Sequence, residues 1–391
     1  MQQIYFDHSA TTPLDPRIVE AMLPFYGDVF GNPSSLHWAG QQAKQAIDEG
    51  RRQVAELFHA SPEEIVFTAS GTEADNMALF GVASQFKPSD CHIITSSFEH
   101  PAILETCKYL ESLGYAISYL PVTPEGIVDP ESLAQALRPN TRLVSVMAAN
   151  NVVGTLQPVA ELAQLARAHG ALFHTDAVQA VGKVPLYVDA LPIDFLSLSA
   201  HKLHGPKGIG ALYIRQGKKI EPLIHGGGQE RGIRSATENV AAIAGLGKAA
   251  EIAGAEMSTE AARLVRLRDR IINDTCARIP NAYLIGHRYK RLPGHICLGF
   301  AGQEGEAIHL MLALNEAGIA ISTGSACSSH NAGQPSYILM AMGMDPVRAR
   351  GSLRITLGRF NTDAEVDTFL ETLPRLVAEM NPVTSRSFAT V

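Results

Sequence analysis

The chain has 391 residues, of which 46% are hydrophobic and 18% charged, so it can bury a large core. The formal net charge of −7 argues against nucleic acid as a main ligand, and no apolar run reaches the roughly 18 residues of a membrane-spanning helix. Five scattered cysteines without a C-x-x-C spacing predict neither a disulfide nor a zinc framework. The N-terminus also lacks the features of a signal peptide. Together with the cysteine pattern, this predicts a cytoplasmic location.

Strand and helix patterns alternate through the middle of the chain. Short apolar runs predict strands at 64–68, 92–96, 115–120, 141–148, 171–175, 195–198 and 210–214. Helical patterns lie between them at 74–86, 101–113, 130–137 and 159–169. This order predicts an α/β fold, with a mostly parallel seven-stranded sheet, helices on both faces, and a ligand site beyond the carboxyl ends of the strands.

The last third of the chain has a different character. The Ala- and Gly-rich stretch 240–255 predicts a tightly packed helix, and a charged helix is predicted at 260–279. At roughly 150 residues per domain, the length also favours two domains. We therefore expect a large domain over 14–258 and a smaller α+β domain formed by 1–13 with 259–391.

Ser70-Gly71-Thr72-Glu73 follows a predicted strand and opens a predicted helix. Small residues at this position let the backbone approach an anion, and the helix N-terminus offers free N–H groups. The same residues also fit an ordinary helix cap, with Ser70 or Thr72 as the capping residue.

Asp176 and Lys202 each lie at the exit of a predicted parallel strand. A lysine amine can hold a carbonyl cofactor as a Schiff base, although most such lysines only extend to solvent. An aspartate at a strand end can hold a protonated ring nitrogen, or it can cap a helix. An anion cup, an aspartate and a lysine together are what a pyridoxal-phosphate site requires.

Three further positions are candidates for chemistry. His100 follows a strand and can stack on a ring or carry a proton, unless it only starts a helix. Cys327 lies in a Gly-, Ser- and Asn-rich loop, where an accessible thiol can react as its thiolate. Arg354, on an alternating strand, can bind a carboxylate through two parallel hydrogen bonds or form a surface ion pair. The pair His201 and His204 has no carboxylate or cysteine at ligand spacing, so no metal site is predicted.

These segments together resemble the NifS/IscS group of cysteine desulfurases, within the fold-type-I pyridoxal-phosphate enzymes. The resemblance runs from residue 7 to residue 360. Its most specific motifs are Ser199-Ala200-His201-Lys202 with Gly205-Pro206-Lys207-Gly208, His225-Gly226-Gly227-Gly228-Gln229-Glu230-Arg231-Gly232, and Gly324-Ser325-Ala326-Cys327.

The resemblance implies the chemistry of the site. Lys202 would bind pyridoxal 5'-phosphate covalently and move the α-proton of L-cysteine. Cys327 would take the sulfur as a persulfide and leave L-alanine. The resemblance further implies ring contacts for His100, Asp176 and Gln179, phosphate contacts for Gly71, Thr72, Ser199 and His201, and substrate-carboxylate contacts for Asn151 and Arg354.

The resemblance also implies partners. Thr237 would reach the phosphate of a neighbouring subunit, so the active unit would be a homodimer. The long loop around Cys327, about 322–336, is similar to that of the group that passes sulfur to iron–sulfur scaffold proteins and to tRNA-thiolation partners. An exposed thiolate at Cys327 is also a candidate transient ligand of an iron–sulfur cluster.

The sequence departs from the family pattern in three places. Val152 stands where the family usually has glutamate, Ala236 replaces a usual glycine, and the C-terminus lacks the longer tail that some members use for docking. Two alternatives to cysteine desulfuration therefore stay open. One is another fold-type-I reaction, such as aminotransfer or selenocysteine lysis, and the other is a sulfur-relay scaffold with little turnover.

Overall fold

The computed structural model describes residues 3–324 and 334–380. The strands within these ranges are β1 (Ile4–Tyr5), β2 (Ile65–Thr68), β3 (His92–Ser96), β4 (Ala116–Leu120), β5 (Thr141–Ser145), β6 (Leu172–Asp176), β7 (Phe195–Ser199), β8 (Gly210–Ile214), β9 (Ala282–Leu284), β10 (His295–Phe300), β11 (Ile319–Ala320), β12 (Ser322–Thr323) and β13 (Ser352–Thr356). The α-helices are α1 (Pro16–Met22), α2 (Trp38–Phe58), α3 (Gly71–Ala83), α4 (Pro101–Ser112), α5 (Pro130–Ala136), α6 (Val159–His169), α7 (Val240–Arg278), α8 (Ala307–Glu316), α9 (Tyr337–Ala341) and α10 (Asp363–Met380).

The large sheet has seven strands in the order β2-β8-β7-β6-β5-β3-β4. Strand β8 is antiparallel to both neighbours, and the other pairs are parallel. The predicted α/β fold with a mostly parallel seven-stranded sheet is thus confirmed. Strands β3 and β8 and helix α6 have the predicted bounds, because alternating apolar runs and Gly170, in the left-handed conformation after α6, mark them clearly.

Strand β5 is shorter than predicted. It ends at Ser145 rather than at residue 148, because the backbone N–H of Met147 donates to the buried carboxylate of Glu99 instead of to a neighbouring strand. The chain from Ser145 to Asn151 therefore becomes part of the wall of the sheet edge where the candidate site lies.

The two helices predicted at 240–255 and 260–279 are one continuous helix, α7, so this expectation was wrong. No glycine or proline follows Gly254 within α7, so nothing in the backbone interrupts it. Gly247 lets α7 and α2 approach closely, because a Cβ atom there would lie 2.5 Å from the Cα of Gly50.

A smaller antiparallel sheet, β12-β13-β10-β9, lies in the C-terminal third of the chain. Ala242, Leu246 and Ala250 of α7 belong to the hydrophobic core under the large sheet. Leu267 and Ile271 of the same helix belong to the core of the smaller sheet. We infer that the division between the domains 14–258 and 259–391 runs through α7.

The N-terminal segment lies with the C-terminal part of the chain. Strand β1 pairs with β11, and Asp7 forms a parallel bridge with Thr356 at the end of β13. This contact carries residues 8–12 to the carboxyl edge of the large sheet, where they complete the candidate site. Among the described residues, no helix combines the length and apolar character needed to cross a bilayer.

Candidate active site

A cavity of about 350 Å³ lies at the carboxyl edge of the large sheet. Ten predicted cofactor- and substrate-binding residues line it: Gly71, Thr72, His100, Asn151, Asp176, Gln179, Ser199, His201, Lys202 and Arg354. The structure therefore brings together residues that are up to 283 positions apart in the chain. Cys327 lies outside the described residues.

Strand direction explains the convergence. Asp176 and Ser199 are the last residues of the adjacent parallel strands β6 and β7, so both reach the same edge. A single 3₁₀ turn, Ala200–Lys202, follows β7 directly and carries His201 and Lys202 to that edge. Gln179 follows Asp176 by three residues and faces the same cavity.

The N-terminus of α3 forms one end of the cavity. Ser70 caps the helix by accepting a hydrogen bond from the backbone N–H of Glu73, so the capping role and the cavity position coexist. A Cβ atom at Gly71 would lie 2.6 Å from Cγ2 of Val178. Only glycine fits there, which leaves the first N–H groups of a 13-residue helix open to an anion.

Lys202 is held by the N-terminal segment. Its Nζ donates to the backbone carbonyl oxygens of Ser9 and Ala10, the latter at 2.7 Å. Sequence reasoning had no signal for this contact, because the two carbonyl groups lie more than 190 positions away and carry no side-chain signature. The contact fixes the amine at the cavity wall.

Burial sets the charges at the cavity floor. It raises the pKa of Asp176, while the nearby His100 and Lys202 oppose that shift by favouring the carboxylate. Burial also lowers the pKa of His100, whose Nδ1 accepts from the backbone N–H of Ala102 at 3.2 Å. His100 is therefore both the cap of α4 and a cavity residue, with a neutral ring favoured.

Gln179 and His201 have defined partners. The Nε2 of Gln179 donates to the carbonyl oxygen of Ser9 at 3.0 Å. The Nδ1 of His201 lies 3.2 Å from the hydroxyl of Thr11, and burial lowers the pKa of its ring to about 4. A neutral imidazole beside the helix N-terminus can donate one hydrogen bond to an anion.

Arg354 reaches the cavity from β13, opposite the large sheet. Its Nη2 pairs with Asp7 at 3.0 Å, and its Nη1 donates to the carbonyl oxygen of Asn151 at 3.2 Å. The buried Nε has no hydrogen-bond partner among residues 3–324 and 334–380. The guanidinium is thus held in place by two groups and still has a donor to offer.

Five lining residues were not predicted: Ser9, Ala10, Asp75, Met147 and Val178, whereas Ser70 belongs to the predicted anion cup. For Asp75 a signal existed, because it follows Gly71 by four positions and so lies on the same face of α3. Burial and the nearby Asp176 raise the pKa of Asp75, which favours the protonated form of its carboxyl group. The other four have ordinary local sequence and reach the site only through the fold.

Thr237 does not line this cavity. It lies in a separate surface pocket beside Thr68 and Gly208. The preceding segment is anchored by Glu230, whose two carboxylate oxygens lie 2.6 and 2.8 Å from the guanidinium of Arg51. Glu230 also accepts from the N–H of Phe67 in β2, so the segment is tied to the large sheet.

Replacing Glu230 with glutamine is expected to destabilise the fold by about 3 kcal/mol, because it leaves the Arg51 guanidinium buried without its countercharge. Urea-induced unfolding measures this loss. Glu56→Gln is the matched control, since Glu56 pairs with Arg52 on the surface and its loss should cost less than about 1 kcal/mol. Equal losses in the two variants would contradict a structural role for the buried pair.

Val152, at the position of the usual glutamate, is buried in an apolar cluster with Phe98, Met147 and Ile338. Its Cγ1 lies 3.5 Å from the position that a Cβ atom would take at Gly324. Gly324 and Ser336 bound the segment that carries Cys327, and the Ser336 hydroxyl donates to the Gly324 carbonyl at 3.0 Å. The ends of that segment therefore lie together beside β13.

Burial raises the pKa of all four thiols in the described ranges: Cys91, Cys107, Cys276 and Cys297. For Cys91 and Cys297 it reaches about 11. Because the thiolate is the reactive form, these four cysteines are poor nucleophiles. Cys91, Cys107 and Cys297 are buried in the core, as the sequence predicted, and Cys276 is half-buried against the core of the smaller sheet.

The sheet order and the strand-end lysine and aspartate define a fold-type-I α/β enzyme. Residues 4–369 match the family model "Aminotransferase class-V", and the chain belongs to that family. "Cysteine desulfurase IscS" of Dictyoglomus turgidum is 49% identical over 382 residues, covering 98% of this chain and 96% of the relative. The predicted resemblance to the NifS/IscS group is confirmed.

Two solved structures are similar over most of their length. A "NifS-like protein" superposes with a TM-score of 0.91 at 40% identity, covering 97% of this chain and 100% of that one. "SspA in complex with cysteine" superposes with a TM-score of 0.80 at 36% identity, covering 92% of this chain and 100% of that one.

Proposed function

We propose that the protein is a cysteine desulfurase that removes sulfur from L-cysteine, releases L-alanine and holds the sulfur as a persulfide on Cys327. The observation that carries this proposal is the single cavity lined by Lys202, Asp176, His100 and Arg354. Similarity to "Cysteine desulfurase IscS" and to a structure solved with cysteine supports the choice of reaction within the family.

The cavity fits pyridoxal 5'-phosphate. Gly71, Thr72, Ser199 and His201 would hold its phosphate at the N-terminus of α3, where a side chain in place of Gly71 would clash with Val178. When bound, the cofactor withdraws electrons from the substrate and makes its α-proton acidic. Asp176 would hold the ring nitrogen in its protonated form, and Gln179 would donate to the phenolic oxygen.

The substrate would enter with its carboxylate towards Arg354 and Asn151. Arg354 has a buried Nε donor without a partner in the described residues, and Asp7 fixes the plane of its guanidinium. A carboxylate there would place the α-carbon near Lys202, which would take and return the α-proton. His100, with its neutral ring, would accept or donate a proton at the substrate thiol.

Sulfur transfer needs a thiolate. The Cys327 thiolate would form a bond to the sulfur of the substrate while the bond between the substrate sulfur and the substrate Cβ breaks. The electron pair of the broken bond stays with the substrate, whose Cβ takes a proton to become the methyl group of alanine. Gly324 and Ser336, which precede and follow the segment that carries Cys327, are hydrogen-bonded to each other, and Arg354 lies on the neighbouring β13.

We also propose that the active unit is a homodimer. Four large apolar side chains between α1 and the start of α2 are 65–92% exposed in the single chain: Tyr26, Phe30, Leu36 and Trp38. A surface of this kind is typical of an interface. Thr237, which lies outside the cavity of its own chain, would then complete the phosphate site of the partner.

The persulfide would be passed to an acceptor. We propose an iron–sulfur scaffold protein or another sulfur acceptor, such as one that serves tRNA thiolation, because relatives named IscS share 46–49% identity with this chain. The cytoplasmic location and a transient cluster ligand at Cys327 stay predictions.

The test is the conversion of L-cysteine by the cofactor-loaded protein in the presence of dithiothreitol. Alanine and sulfide in equal amounts are expected. Release of a keto acid from an amino-acid donor would instead favour aminotransfer, and turnover of selenocysteine alone would favour selenocysteine lysis. Cofactor binding without any alanine would favour the sulfur-relay scaffold.

A further inference from the structure

Tyr337 is the first residue of α9 and does not line the candidate active-site cavity. Its hydroxyl group donates a hydrogen bond to the backbone carbonyl oxygen of Glu99 at 2.8 Å. Glu99 directly precedes His100, which does line that cavity. The Tyr337 hydroxyl therefore holds the peptide group that joins Glu99 to His100, although nothing in the proposed reaction uses this tyrosine.

The turn before His100 is also tied to the large sheet. The carboxyl group of Glu99 accepts from the hydroxyl of Ser96, the last residue of β3, at 2.6 Å, and from the backbone N–H of Met147 at 3.0 Å. The carbonyl oxygen of Phe98 accepts from Nδ2 of Asn150 at 3.0 Å. These partners lie on β3 and on the chain that follows β5, whereas Tyr337 reaches the turn from the C-terminal third of the chain.

Apolar packing places α9 against this turn. Ile338 and Leu339 of α9 are buried in one cluster with Phe98 and Met147, and the half-buried Tyr337 packs against the same cluster. The tyrosine ring is therefore already ordered by its neighbours. Its hydroxyl can hold the carbonyl group at little further cost in side-chain entropy.

The backbone before His100 decides where the imidazole lies. His100 has an extended backbone as the N-cap of α4, and its Nδ1 accepts from the N–H of Ala102 at 3.2 Å. A rotation of the Glu99–His100 peptide would shift this cap and, with it, the ring. A misplacement of about 1 Å can slow a reaction by about 100-fold, so the hold on this peptide matters for proton transfer.

We propose that Tyr337 is a positioning residue, whose hydroxyl fixes the peptide before His100 and so keeps the imidazole in place for proton transfer. The proposal rests on the proposed function, because it concerns the step in which His100 moves a proton at the substrate thiol.

The test is the steady-state turnover of L-cysteine by the cofactor-loaded protein, with Tyr337→Phe beside the wild type. This change removes only the hydroxyl and keeps the ring in its cluster, and thermal unfolding checks that the variant is folded. We expect kcat to fall about tenfold because the imidazole is displaced. The KM for L-cysteine and the amount of bound cofactor should stay near the wild-type values, because the contacts of Arg354 and Lys202 are unchanged.

His100→Asn separates positioning from a general loss of stability. Asparagine caps a helix well, so α4 keeps its N-cap while the imidazole is lost. In this background Tyr337→Phe should cause no further loss of kcat, because no imidazole is left to position. Tyr115→Phe is the matched control: its hydroxyl also donates to a backbone carbonyl, that of Phe86 at 3.3 Å, but it lies outside the cavity, so kcat should not change.

A folded Tyr337→Phe variant with the wild-type kcat would overturn this proposal alone. So would an equal loss in Tyr115→Phe, or a tenfold loss that recurs in full in the His100→Asn background. A His100→Asn variant with the wild-type kcat would overturn the proposal together with the role given to His100. A wild-type protein that releases no alanine would overturn the proposed function as a whole.

Discussion

Replacing Cys327 with serine is expected to abolish the release of alanine from L-cysteine while the cofactor stays attached. A serine hydroxyl is hardly ionised near neutral pH, whereas a thiol with a pKa of about 8.5 already has a few per cent of thiolate. The measurement is alanine formed per minute together with the visible absorbance of the loaded protein. A loss of alanine with unchanged absorbance places Cys327 in the sulfur-transfer step rather than in cofactor binding.

Cys276→Ser is the control for this experiment. Cys276 lies half-buried on α7, and burial raises the pKa of its thiol, so its loss should leave turnover near the wild-type value. If Cys327→Ser still released alanine at the wild-type rate, the persulfide on Cys327 would be ruled out as the route of the sulfur.

Replacing Lys202 with alanine is expected to remove covalent cofactor attachment and to lower turnover by at least about 10²–10⁴-fold, the usual contribution of a positioned proton-transfer group. The physical reason is the loss of the amine that, in the described structure, the Ser9 and Ala10 carbonyl groups hold at the wall of the active-site cavity. Borohydride reduction followed by peptide mapping measures whether the cofactor is fixed to the chain.

The control for Lys202 is Lys219→Ala, because Lys219 is exposed on the turn after β8. Its cofactor should be fixed by borohydride as in the wild type. If Lys202→Ala retained a borohydride-fixed cofactor at an internal lysine, Lys202 would be ruled out as the attachment site.

Local patterns were sufficient to predict most of the large sheet. The runs at 92–96 and 210–214 are short, apolar and bounded by polar residues, and the structure has strands with those bounds. Helix α7 was predicted as two pieces because its composition changes from Ala and Gly to charged residues, although its backbone continues. The composition of a helix depends on what packs against it. The first half of α7 packs in the core under the large sheet and the second half in the core of the smaller sheet, so the composition changes although the helix is continuous.

The site was predictable where its residues follow strand ends. Asp176 and Lys202 are near the ends of β6 and β7, and the parallel direction of these strands brings them together. The pairing of Arg354 with Asp7 joins residues 347 positions apart and has no local signature.

The pairing of β1 with β11 has a consequence for the order in which the protein forms. Residues 4–10 are synthesised before the strands that hold them, because β11 and β13 follow more than 300 residues later in the chain. Closing so long a loop is slow, and domains fold largely as they emerge. The large sheet can therefore assemble around an open site, and the Ser9 and Ala10 carbonyl groups that receive Lys202 are fixed in place only after β11 and β13 have been made.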